Sequence, residues 1–225
     1  MMHTSREKRC TAFVAPEVSI SEPVRTVISS VIPLAAVNDK FLLELSKCGS
    51  DALTGLVALR ASFAFDSAAR QKLGDTSLKF FTWTQLPVPT PSLLSNHALF
   101  ILPRVLELTY TTTDMKQFAT YLNDTGAPFR WNQDRRRHIR AELDALFFHL
   151  YGISRDDVDY ILGTFPIDRR KDEAKYGTYR TKELILTEYD RMAAASLILE
   201  NSLVDGENYT STLTPPPGHG PRHPA

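Results

Sequence analysis

Asp134-Arg-Arg-Arg-His-Ile-Arg-Ala-Glu-Leu-Asp-Ala-Leu-Phe-Phe-His-Leu-Tyr151 is the stretch that decides the fold. Its apolar residues Ile139, Leu143, Leu146, Phe147 and Leu150 recur at i, i+4, i+7, i+8 and i+11, one face of an α-helix that Gly152 stops. Beyond the glycine, Ser154-Arg155-Asp156-Asp157 reads as an acidic capping box that launches a short helix through Val158, Ile161 and Leu162 to Gly163. A last helix over 179–203 carries Ile185, Tyr189, Met192 and Leu199 on one stripe, and two more are expected at 94–109 and 114–122. The second half of the chain is therefore expected to be predominantly helical.

Moving towards the N-terminus, Leu86-Pro87-Val88-Pro89-Thr90-Pro91 marks a change of texture. Alternating prolines forbid a helix and favour an extended connector. Upstream of it, residues 26–37 are β-branched and read as strand, and residues 77–83 are apolar and aromatic and read as a second strand. Between them Leu53, Leu56, Val57, Ala61, Ala64 and Phe65 repeat at helical steps, with Ser50 or Asp51 as cap and Gly74 as stop. The expectation is an α+β chain in four parts: an N-terminal extension (1–24), a small α/β segment (25–91), a helical segment (92–204) and a tail (205–225). With Pro215, Pro216, Pro217, Pro221 and Pro224, that tail reads as disordered. Its Gly218-His219-Gly220 lacks the strand and helix that flank a phosphate-cradling loop.

Among the 225 residues, 43% hydrophobic and 23% charged is a globular composition. Twenty-six basic residues balance twenty-six acidic ones, so no global field attracts nucleic acid or membrane, and an anionic partner must be met by a local patch. Cys10 and Cys48 outline neither a disulfide scaffold nor a zinc site and are expected to be reduced thiols. No apolar run approaches the roughly 18 residues of a membrane helix, and the start has no secretory pattern, so a cytoplasmic location is expected.

Two local patches stand out. Residues 129–140 hold Arg130, Arg135, Arg136, Arg137 and Arg140 against the single acid Asp134. Residues 168–182 hold Arg169, Arg170, Lys171, Lys175, Arg180 and Lys182 against three acids, interleaved with Tyr176 and Tyr179. Such clusters either neutralise phosphates or form solvated faces. In the first cluster the arginines open an amphipathic helix and have Glu142 and Asp144 as partners, which favours the solvated face. In the second, the loop glycine Gly177 and aromatics among the bases weigh nucleic-acid contact evenly against a solvated face. A metal nuclease built on Asp168, Glu173 and Lys175 is a third reading, but these residues fall in a charged helical stretch rather than on adjacent strands. His149, between Phe148 and Leu150, lacks a nucleophile context, and the chain alone is expected to hold no catalytic residue.

The stretch from Arg140-Ala-Glu-Leu-Asp through Leu150-Tyr-Gly-Ile-Ser-Arg-Asp-Asp-Val to Phe165-Pro-Ile167, followed by Arg169-Arg-Lys-Asp-Glu-Ala-Lys-Tyr-Gly-Thr-Tyr-Arg-Thr-Lys182, closely resembles the C-terminal end of large bacterial adenine-specific DNA methyltransferases. These belong to type IIG restriction-modification and related phage-defence systems. Arg25-Thr-Val-Ile-Ser-Ser-Val-Ile-Pro33 and Phe65-Asp-Ser-Ala-Ala-Arg-Gln-Lys-Leu-Gly-Asp-Thr-Ser-Leu-Lys-Phe-Phe81 through Gln85-Leu-Pro-Val88 resemble the same family's target recognition region, in the family's order. The resemblance implies a chain that docks on duplex DNA and selects its sequence. The DNA-binding residues it implies are Arg70, Lys72, Lys79, Arg169, Arg170, Lys171, Lys175, Arg180 and Lys182. Family enzymes bind S-adenosylmethionine through an F-x-G-x-G type loop and hold the flipped adenine with an N-P-P-Y type motif. Neither motif occurs here, so no cofactor is expected in this chain, and S-adenosylmethionine belongs to a separate or missing catalytic subunit. Gly74-Asp75-Thr76-Ser77 departs from the family's glycine-pair and Thr-His pattern. The rival expectation is a protein-interaction fragment that packs on a methyltransferase partner and touches DNA little.

Overall fold

The computed structural model describes residues 11–15, 25–33, 42–44, 50–73, 80–195, 203 and 207–224. Three short strands, β1 (Thr11–Ala15), β2 (Ile28–Ile32) and β3 (Leu42–Glu44), form an antiparallel sheet in the order β2-β1-β3. β1 lies in the stretch expected to be an extension, yet it is the central strand. Its pairing with β2 from Thr11↔Ile32 to Ala15↔Ile28 removes the boundary expected at residue 25.

The other elements among the described residues are helices: α1 (Ser50–Arg60), α2 (Phe63–Lys72), α3 (Phe80–Trp83), α4 (Pro91–Asn96), α5 (Ala98–Thr109), α6 (Lys116–Tyr121), α7 (Gln133–Leu150), α8 (Arg155–Gly163), α9 (Pro166–Tyr176) and α10 (Arg180–Ala194), with a 3₁₀ turn at Thr113–Met115. The helix expected from Ser50 is two helices. Ser62 breaks it, donating to Leu59 O at 2.6 Å and accepting from Phe65 N at 3.2 Å as the cap of α2. The helix expected over 94–109 also divides, at His97, and Thr90 with Pro91 opens its first piece. Residues 80–83, expected as strand, form the single turn of α3. Residues 77–79, 34–37 of the first expected strand, Gly74 and 196–202 of the last expected helix lie outside the described residues.

One hydrophobic core runs through both sides of the Pro-rich connector, of which residues 87–90 lie outside helix and strand while Pro91 opens α4. Leu53, Val57, Phe63 and Phe65 of α1 and α2 bury themselves with Phe100, Ile101 and Val105 of α5, and Ile139, Leu146 and Phe147 of α7. Ile185 and Met192 of α10 close the far side. A boundary at residue 91 therefore separates textures of sequence and not cores.

The tail is the largest departure from expectation. Residues 207–224 pack along α5 and α7. A proline-rich segment is a row of carbonyl acceptors with few N–H donors, and an arginine side chain is all donor, so the two complement each other. Arg135 donates to Pro215 O at 2.6 Å and Pro216 O at 3.0 Å while its fork also grips the Glu107 carboxylate. Gly218 N donates to Glu107 Oε2 at 2.8 Å, and a Cβ at Gly218 would stand 2.7 Å from Pro103 Cβ. Tyr209 is buried under the fully buried Arg104–Glu142 ion pair, and Ser211 also donates to Glu142. Arg222 bridges Asp124 and lies 3.8 Å over the Phe129 ring. Composition argued for disorder because it does not count partners: backbone carbonyls of Pro215 and Pro216 meet Arg135, and the tail's own Tyr209, Ser211 and Arg222 side chains meet carboxylates of the body.

Candidate nucleic-acid interface

α7 and α9 face each other across a cleft of about 450 Å³. On α9, Asp168, Lys171, Asp172, Lys175 and Tyr176 recur at three- and four-residue steps and make one stripe towards the cleft. Pro166 starts this helix, and Gly177 ends it in a left-handed conformation at φ 78°. Asp172, buried, accepts from Thr181 N at 2.6 Å and so caps α10, whose own cap position offers no side chain. That bond fixes the angle between α9 and α10.

The opposite wall comes from the arginine run of α7. Asn132 caps the helix by accepting from Arg135 N at 3.0 Å. Helical phase then sends Arg135 inwards to Glu107, while Arg136, Arg137 and Arg140 line the cleft. Arg137 donates to Asp134 at 2.8 Å and to the Tyr176 hydroxyl at 2.6 Å, tying α7 to α9. Tyr176 carries Arg137, Lys175 and Arg180 around its ring at 4.6, 5.0 and 4.9 Å. Arg25, from the segment before β2, lies 3.3 Å over Phe63 and 4.0 Å from Asp168. Trp131 stands at the lip, 65% exposed, with Arg136 stacked 3.8 Å over its ring.

Six cations, Arg25, Arg136, Arg137, Arg140, Lys171 and Lys175, thus share a cleft with three carboxylates, Asp144, Asp168 and Asp172. Burial and the neighbouring Arg140 lower Arg136 to about 10, still charged at neutral pH. Dehydration in the concave wall and the charges of Arg25 and Arg137 also lower Arg140, although water reaches its side chain. Burial pushes Asp144 up to about 6 against the opposing pull of Arg25, the Phe63 N–H and Arg140. The Phe63 N–H donates to Asp144 Oδ1 at 2.7 Å. Burial likewise raises Asp168. A second recess of about 540 Å³ opens from the same corner and shares Arg25, Trp131, Arg136, Arg140 and Asp144. It runs between β2, α1 and α5, past Ser29, Ser30, Thr109, Thr111 and Thr112.

The expected DNA-binding residues are distributed unevenly over this geometry. Lys171 and Lys175 are in the cleft, Lys175 donating to Gln133 at 3.1 Å. Arg180 flanks it, 3.6 Å from Asp134. Arg169 lies on the outer face of α9, paired with Glu173 at 2.7 Å, and Arg170 is exposed beside it. Lys182 pairs with Asp159 at 2.7 Å, away from the cleft. Arg70 is a structural tie: it donates to Asp66 at 2.9 Å and Thr26 at 3.0 Å and lies 3.9 Å over Phe165. The buried Asp66 in turn accepts from Val27 N at 2.6 Å, so this contact seats β2 on α2. Lys72 is exposed at the end of α2, and Lys79 lies outside the described residues.

Arg25, Trp131, Arg136, Arg137 and Arg140 are absent from that set. The signal was present: a tryptophan followed by the densest arginine run of the chain. The partners expected for that run differ too, since Glu142 is held by Arg104 at 2.8 Å. For the nuclease reading, Asp168 faces the cleft whereas Glu173, five residues on, faces outwards with Arg169. Among the described residues no group of three or more His, Cys, Asp or Glu side chains could hold a metal ion. His149 stacks on Tyr189 at 3.8 Å and bonds Tyr189 O at 3.0 Å, a packing role. No helix among the described residues is long and apolar enough to cross a membrane. No protein-family model, curated protein or solved structure matches the chain.

Proposed function

We propose that the chain is the DNA-docking, target-recognition part of an adenine-N6 DNA methyltransferase of the type IIG or phage-defence kind, working with a catalytic domain that carries S-adenosylmethionine. The observation that supports this reading is the convergence of Arg25, three arginines of α7 and two lysines of α9 on one cleft with Trp131 and Tyr176 at its edge. In a chain of zero formal charge, six cations against three carboxylates gather a local positive excess in the cleft and leave the remainder of the chain with an excess of acids. Each phosphate contact releases counterions, so affinity falls with salt, and the contacts set register while base edges carry the choice of sequence.

A salt titration with a fluorescent duplex tests the reading. If three to four cations reach phosphates, the logarithmic slope is about −3 to −4. Absence of saturable binding at low salt overturns it. The interaction-fragment alternative draws support from Phe80 and Phe81, 68% and 64% exposed on α3. It expects little DNA affinity, and the same titration separates the two.

A further inference from the structure

Buried polar side-chain atoms without a hydrogen-bond partner concentrate at one place. Among the described residues they include Arg25 Nη1, Ser29 Oγ, and Arg136 Nε and Nη1. All three residues line the 540 Å³ recess, and Arg136 is 9% exposed. Leaving buried donors unpaired is costly, and native structures avoid it except where a ligand, ion or water completes the set. The recess has the volume of a small-molecule site, a few hundred Å³, and an apolar floor of Val57, Val105 and Leu143. Its mouth is the corner where Trp131 and Arg140 also face the cationic cleft. One face of the Trp131 ring is covered by Arg136. The ring is nonetheless 65% exposed, so its other face is open to stack a planar group.

We propose that this recess takes one unstacked nucleotide of the docked DNA, its phosphate on Arg136 and Arg140 and its base on the open face of Trp131. The chemistry fits part by part. A guanidinium fork whose Nε and Nη1 lack a hydrogen-bond partner matches phosphate oxygens. Aromatic stacking accepts any base, because every base has a π-face. An apolar floor beneath cations suits a base better than a second phosphate. The inference rests on the DNA-docking reading and extends it: the cleft holds the backbone of the duplex, and the recess holds a nucleotide that has left the stack.

Trp131 is its own reporter. The chain has two tryptophans, and Trp83→Phe leaves Trp131 as the single one. The probes are a short paired duplex and the same duplex with one abasic site, which frees the opposite base at little cost. The expected result is saturable quenching of Trp131 by the abasic duplex and a preference for it of about tenfold over the paired one. Trp131→Ala abolishes the preference, whereas Arg169→Ala, on the outer face of α9, leaves both the preference and the paired-duplex affinity unchanged. Arg136→Lys keeps the charge, loses the fork and also abolishes the preference. If Arg136→Lys does not fold, the Trp131→Ala result alone decides. Equal binding of both duplexes without quenching overturns the nucleotide site and leaves the docking reading intact. Failure to bind either duplex overturns both.

Discussion

The two arginine- and lysine-rich segments, 135–140 on α7 and 169–175 on α9, each carry four basic side chains and meet opposite fates. On α7 the first arginine, Arg135, is buried against Glu107 and the tail, and the next three serve the cleft. On α9 the first two bases point outwards, Arg169 into an exposed pair with Glu173, and only Lys171 and Lys175 reach the cleft. A count of charges along the chain cannot tell these apart. Helical phase does, since a step of one residue turns a side chain by about 100° and moves it from the core to the groove or from the groove to solvent.

The largest effect is expected on the core side of α7. A chain ending at residue 206 loses the acceptors of Arg135, the Tyr209 cover over Glu142 and the Arg222 clasp. Its melting temperature is expected to fall by about 10 °C or more, or cooperative unfolding to vanish, as calorimetry would read. A shift of a degree or two would mean that the tail only rests on the surface. Next, Glu107→Ala leaves Arg135 buried without its carboxylate and is expected to cost about 3–5 kcal/mol. A denaturant titration giving less than 1 kcal/mol would put Arg135 in the same class as the solvated Arg169.

A third expectation concerns Asp144, beneath the cleft. Its folded carboxyl titrates near 6, above the ordinary carboxylate range, so the native state holds a proton that the unfolded chain has lost. Stability from this group is complete below the ordinary carboxylate range and is lost as pH rises through about 6, a loss of order 2–3 kcal/mol. Asp144→Asn keeps an acceptor for the Phe63 N–H, and its stability should be flatter between pH 5 and 7.5 when followed by thermal melts. Protonation also adds one net positive charge to the cleft, so DNA affinity in the parent chain should rise on acidification and the variant should lose most of that rise. A parent affinity independent of pH would detach Asp144 from the interface.

The comparison within α9 is finer. Lys171→Ala with Lys175→Ala is expected to reduce the logarithmic salt slope by about two, with the melting temperature unchanged because both side chains are exposed. The smallest effect belongs to the outer face: Arg169→Ala should leave both the slope and the melt where they were. If the outer substitution changes the slope as much as the inner pair does, duplex DNA lies across the back of α9 and the cleft is not its seat.

Periodicity placed α7 and α8 to within a residue or two, because their apolar stripes are long and their caps, Asn132 and Ser154, are local. What periodicity could not place was anything made by partners distant in sequence. Asp66 on Val27 N, Asp144 on Phe63 N and Glu107 on Gly218 N are bonds across 39, 81 and 111 residues. They decide that Arg70 is a tie, that the cleft has an acidic floor and that the tail is seated. The cleft itself was half legible: the lysines of α9 came from the charge count, while Trp131 and Arg136 needed the crossing of two helices to acquire a meaning.

The seated tail has a consequence for the order in which the molecule closes. Its bonds to Arg135 and Glu107 span 80 to 111 residues, and among the described residues its strand-like pairing is the isolated bridge of Arg222 to Phe129. Contacts of such sequence separation are paid for in loop entropy and form after the local helices. Until they form, Arg135 and Glu107 have only each other, and Glu142 lacks Tyr209 and Ser211. The tail therefore acts as the keystone, set last and removed first. In hydrogen exchange the amides of Gly218 and His223, each held by a single bond to the body of the protein, should open together and well before those of α7.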